Sequence, residues 1–171
     1  MSSDTTGRVY LPTSKSCFIC GEENPAGLRT RFYIEDGVVK AELNARDHHC
    51  GYPNVVHGGV VAAILDETMG WAATCVIERM CYTGDLTIRY LKPVPCDRTT
   101  TVTTDVVRAN KRLAEVRSAV VDSDGEVYVR GRGRFFPLSV ERTLEVDDHL
   151  VYRGGEVRLF DGLRARLQGE E

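Results

Sequence analysis

The sequence predicts an α+β domain in which an antiparallel sheet wraps a single long helix. Three observations carry that expectation. Val60 to Val76 is an almost unbroken apolar run of helical length. Strand-like segments flank it, two before and four after. The connections between them are short, which favours antiparallel pairing over crossovers.

Taken in order, residues 1–16 are polar, lack an apolar period and read as a flexible N-terminus. Leu28 to Ile34 reads as a strand, and Glu35-Asp36-Gly37 turns the chain into a second one, Val38 to Ala45. A loop with Gly51, Pro53 and Asn54 delivers the chain to the helix, from about Gly58 to Cys75. Being apolar on every face, that helix should be buried on several sides. Gly84 to Leu91, Thr99 to Ala109, Leu113 to Val121 and Glu126 to Phe136 read as strands. Asn110-Lys111-Arg112 and Asp122-Ser123-Asp124-Gly125 are the turns joining the last three. The domain therefore spans 17–137. Residues 138–171 form a C-terminal accessory segment with a short amphipathic helix at Val157 to Leu167. It packs on the domain or on a partner subunit, or stays disordered.

Composition narrows the function classes. The chain has 171 residues, 42% hydrophobic and 27% charged, enough for one soluble domain with a real core. A net charge of −3 argues against general nucleic-acid binding. The N-terminal residues pair no basic stretch with an apolar run, so no secretion signal is expected, and Asp66 and Glu67 interrupt the one long apolar run, so no membrane association is expected either. The expected compartment is the cytoplasm, with the six cysteines reduced.

The chemistry concentrates at Val56-His57-Gly58-Gly59 and the helix behind it. Paired glycines let a ligand approach the backbone, and a helix start offers unpaired N–H groups with partial positive charge. A carbonyl oxygen that becomes negative during reaction is stabilised there. An acid two turns further on, in apolar surroundings, can act as general base or nucleophile. These parts point to acyl chemistry.

The motif His57-Gly58-Gly59 with Asp66 at that spacing resembles the hotdog-fold acyl-CoA thioesterases of the phenylacetic-acid-degradation and thioesterase-superfamily-member type. Cys17-Phe18-Ile19-Cys20-Gly21, Asn24-Pro25-Ala26-Gly27-Leu28, Gly51-Tyr52-Pro53 and Leu86-Thr87-Ile88-Arg89-Tyr90-Leu91-Lys92-Pro93 support the resemblance, which covers about Cys17 to Pro137. It implies a curved sheet wrapped round a central helix, and a homodimer formed by pairing sheets, with a tetramer as the alternative. It implies an acyl-CoA substrate, with no cofactor and no metal. By the same resemblance, Gly58 supplies the backbone N–H for the thioester carbonyl and Gly59 lines the substrate. Asp66 activates water or attacks directly, Thr83 orients water, and His57 shapes the helix start. Many relatives carry an amide before the glycines. Asn54 is the nearest here, so it either substitutes from a shifted position or a contact is missing.

Gly58 and Asp66 are eight residues apart, ~12 Å along a helix, too far to act on one carbonyl. Two helices related by a two-fold axis can bring them together, which predicts sites shared across a homodimer. Glu67 competes with Asp66 but falls ~100° round the helix, so only one is expected to face a given pocket. Cys17 and Cys20 supply two of four zinc ligands. His48, His49 and Cys50 are too tightly spaced to complete the set, so small buried residues are the expectation. From Arg108 to Arg134, seven bases face four acids, and Arg130, Arg132 and Arg134 alternate along one strand face. Arg108, Lys111 and Arg112 are the preferred contacts for coenzyme A phosphates, against an ordinary solvated sheet face. Val60, Val61, Ile64, Met69 and Trp71 line either the acyl tunnel or the core. Two other readings stay open: a non-catalytic acyl or acyl-CoA binder, and a hydratase or dehydratase using His49 with Asp66 or Glu67.

Overall fold

The structure is a computed structural model that describes residues 7–169. Ahead of the long helix come Val9–Tyr10 (β1), Thr13–Ser14 (β2), Phe32–Glu35 (β3), Val38–Leu43 (β4), Cys50–Tyr52 (β5) and Val55–Val56 (β6). The helix itself is Gly58–Ile77 (α1). Cys81–Tyr90 (β7), Thr100–Asn110 (β8), Leu113–Val121 (β9) and Val127–Pro137 (β10) follow. Val140–Asp147 (α2), Leu150–Val151 (β11) and Asp161–Gln168 (α3) complete the chain.

An antiparallel seven-stranded sheet, ordered β1-β3-β4-β8-β9-β10-β7, carries α1 across one face. Val61, Ile64, Leu65, Thr68, Met69 and Ala72 recur at helical spacing and are buried toward the sheet. They meet Phe32, Val102, Val116, Val120 and Phe135 from the strands. Each large apolar side chain buried here contributes about 1.5–3 kcal/mol. By length and composition α1 could cross a membrane, with mean hydropathy 1.5, but half of that stretch is buried inside the domain. It is a core helix.

β9 runs over the predicted residues, and β8 and β10 differ from expectation by a residue at each end. The first strand begins only at Phe32. Leu28 and Thr30 spend their N–H groups on Phe18 and Ile19 carbonyls instead of a ladder. Within the expected loose N-terminus, 1–6 lie outside the described residues, but β1 pairs with β3 and Leu11 is fully buried. Strands two residues long leave no period to read, so that expectation is corrected for residues 9–14.

The C-terminal segment folds back on the rest of its own chain: β11 pairs with β2, and Glu156 pairs with Arg31. Contrary to the expectation of six reduced thiols, Cys50 and Cys96 form a disulfide. The Val55–Pro95 bridge and the Cys96 N–H on the Asn54 carbonyl bring them together, a contact invisible across 46 residues of sequence.

Candidate active site

His57 is the N-cap of α1, and its Nδ1 accepts from the Gly59 N–H at 2.9 Å. The Val60 and Val61 N–H groups turn back to the His57 carbonyl. Among the described residues the Gly58 N–H has no acceptor, at the positive end of a twenty-residue helix. The Tyr90 hydroxyl donates to the Gly58 carbonyl at 2.6 Å, tying this helix start to the end of β7. Gly58, His57, Val61, Tyr90 and Lys92 line a cavity of about 680 Å³.

Asp66 lines a second cavity, of about 400 Å³, with Ala63, Glu67, Trp71 and Thr83. The Thr83 hydroxyl donates to Asp66 Oδ1 at 2.7 Å. A β-bulge sets that contact. Phe135 of β10 pairs with Thr83 and Arg134 with Asp85, leaving Gly84 as the extra residue on β7. A Cβ on Gly84 would sit 2.2 Å from the Phe136 ring, so glycine is what fits.

The expectation that only one of Asp66 and Glu67 faces a pocket is corrected, because both line this cavity. The N-terminal turn at Cys17–Cys20 and the C-terminal residues Val146, His149 and Leu150 also line it. Glu67 has different surroundings from its neighbour. The Cys17 thiol donates to its Oε2 at 3.1 Å, and burial, aided by Cys17, pushes its carboxyl up to about 8. The Cys17 thiol is drawn below its ordinary value by hydrogen bonding with Cys20, while Cys20 is pushed up by the same contact and by burial.

Gly58 and Asp66 therefore open on different cavities of one chain. Asn54 joins neither cavity. Its amide donates to Asp97 in a left-handed turn, away from both cavities of its own chain. His49 is buried, with Nδ1 accepting from the Arg46 N–H and Nε2 against the Ala26 carbonyl. It lines no cavity with either carboxylate of its own chain. Burial and His48 lower its pKa. Val61, Ile64 and Met69 are core residues, and Trp71 packs on Phe32 while lining the Asp66 cavity.

Arg108, Lys111 and Arg112 are exposed on the β8–β9 hairpin, where Arg108 pairs with Glu115 and the Lys111 carbonyl accepts from Arg79. Arg132 also pairs with Glu115, and Arg134 with Asp85. Sequence reasoning missed Tyr90 as the holder of Gly58 and Cys17 as the partner of Glu67. The first lay inside a quoted motif. The second is separated by 50 residues and left no local signal.

The family model described as the thioesterase superfamily matches residues 53–129, a span that holds Gly58, Asp66 and Thr83. The chain is 32% identical over 99 residues to acyl-coenzyme A thioesterase THEM4 of Mus musculus, covering 57% of this chain and 42% of that protein. The match thus spans less than half of that longer relative. Among solved structures, a thioesterase superfamily protein superposes with a TM-score of 0.64 at 28% identity, covering 70% of this chain and 62% of that one. The BH2602 protein of Bacillus halodurans, solved with CoA, gives 0.54 at 28% identity, covering 58% and 66%.

Proposed function

Because this chain belongs to the hotdog thioesterase superfamily, we propose that it hydrolyses an acyl-coenzyme A to the free acid and CoA, at sites shared between two copies. The observation that carries the reading is the Thr83 hydroxyl on Asp66 in the wall of the same cavity. That contact orients one carboxylate oxygen and leaves the other for a water. Asp66 takes the water proton as hydroxide attacks the thioester carbon; in the alternative, it attacks that carbon itself, and water then hydrolyses the mixed anhydride to free the acid and restore the carboxylate. The Gly58 N–H of the other copy receives the oxyanion. Collapse breaks the C–S bond, and the CoA thiolate takes back the proton. Burial and the Cys17 contact favour the protonated form of Glu67, which supports Asp66 as the base in this reading.

The dimer is supported by β7, a ten-residue strand at the edge of the sheet that has one side of its backbone unpaired among the described residues. Asp66 sits by Thr83 near one end of β7, and Gly58 by Tyr90 at the other. Antiparallel pairing of two such edges, centred between Leu86 and Thr87, places Thr83 of one copy opposite Tyr90 of the other. That arrangement brings Asp66 towards the other copy's Gly58. Arg108, Lys111 and Arg112 then serve as phosphate contacts. Asp66→Ala should lower kcat by about 10²- to 10⁴-fold in a thiol-reporter assay, with the circular dichroism spectrum unchanged. Retained turnover would remove Asp66 from the mechanism.

One observation favours a second reading, an acyl-CoA binder without useful turnover: Asn54 is engaged by Asp97 away from both cavities. A thermal shift with a panel of acyl-CoAs, run beside the hydrolysis assay, separates the two. Shift without turnover supports the binder.

A further inference from the structure

Independently of the hydrolase reading, we propose that Cys17, Cys20 and Glu67 form a zinc-binding site in the wall of the Asp66 cavity. Their ligand atoms all lie within 4.8 Å of one another, and Cys17 Sγ is 3.1 Å from Glu67 Oε2. Zinc bonds of about 2.3 Å to sulfur and 2.0–2.2 Å to oxygen place tetrahedral ligands at comparable spacings. Only small side-chain rotations are needed.

The surrounding backbone is arranged for thiolate sulfur. The N–H groups of Ile19 and Cys20 point at Cys17 Sγ, at 3.2 and 3.4 Å, and the Ser14 N–H points at Cys20 Sγ at 3.4 Å. Such donors orient metal-bound sulfur and offset its charge. The turn is closed by the Gly21 N–H on the Cys17 carbonyl at 2.9 Å. A Cβ on Gly21 would lie 2.4 Å from that same oxygen, so the tight turn requires glycine. Leu28 and Thr30 bind the Phe18 and Ile19 carbonyls, which fixes the loop to the body of the domain.

Charge points the same way. Asp66, Glu67, Cys17, Cys20 and Cys81 line this cavity with His149, and no Lys or Arg is among its lining residues. A divalent cation supplies the missing positive charge as the two thiols release their protons. Two sulfurs select zinc over magnesium or calcium. Three protein ligands leave one position open to the cavity, next to Asp66. Cys17 and Cys20 lie outside the span matched by the family model, so this site is a property of the N-terminal turn folded onto α1.

The test is a titration of reduced, chelator-stripped protein with Co²⁺, followed by Zn²⁺. The expected result is one Co²⁺ per chain with a near-ultraviolet thiolate charge-transfer absorption that Zn²⁺ abolishes. Cys17→Ser and Cys20→Ser each remove the absorption, Glu67→Gln keeps it but needs more Co²⁺, and Cys75→Ser changes nothing. No thiolate absorption in the unmutated protein would overturn the site, whatever the variants do. So would absorption that survives Cys17→Ser.

Discussion

Asp66 and Glu67 are adjacent in sequence yet have different surroundings, because one faces a hydroxyl and the other a thiol. Thr83 acts through Asp66, so its loss should show in kcat more than in KM. Thr83→Ala should lower kcat by about 10- to 100-fold, the worth of a hydrogen bond to a charged group, and Thr83→Ser should restore most of it. An alanine variant with wild-type kcat would make Thr83 an ordinary strand residue. The helix start at Gly58 and the acid at Asp66 were legible in the sequence because they share one long apolar helix, while Thr83 was expected only from the family resemblance. The pairing of Cys17 with Glu67 was not. Residues far apart in the chain meet through tertiary packing, and no periodicity records that.

At the scale of elements, the bulge in β7 turns a common strand residue into a partner for Asp66. Gly84→Ala pushes a methyl group into the Phe136 ring. Overpacking of this kind costs about 1–3 kcal/mol. For a chain of 171 residues the melting temperature should fall by roughly 2–4 °C per kcal/mol. An unchanged melting temperature with unchanged kcat would show that Gly84 is not required. The long strands and α1 were readable because each carries enough residues to show its period. The N-terminal pairings β1–β3 and β2–β11 were not, since two-residue strands borrow their order from partners distant in sequence. The same holds for the Cys50–Cys96 disulfide.

For the whole molecule, several carboxylates tie neighbouring strands and turns and are held below their ordinary values. Lys40 and then Arg8 act on Glu35, and Arg132 and then Arg108 on Glu115. The Glu126 backbone N–H, with the Tyr128 hydroxyl, acts on Asp122. A depressed folded pKa means stability that is present above the unfolded value, near 4, and lost as pH falls through the folded one. The melting temperature should therefore decline from about pH 4 downward, as read by circular dichroism. A flat profile to about pH 2 would mean these pairs contribute nothing.

Mixing two inactive chains bears most directly on the shared site. Asp66→Asn and Gly58→Pro subunits, each inactive alone, are unfolded together, refolded and assayed with an acyl-CoA. If Asp66 of one copy works with Gly58 of the other, mixed dimers regain about one functional site each. Activity that stays at background, in mixtures shown by mass to contain heterodimers, would contradict it.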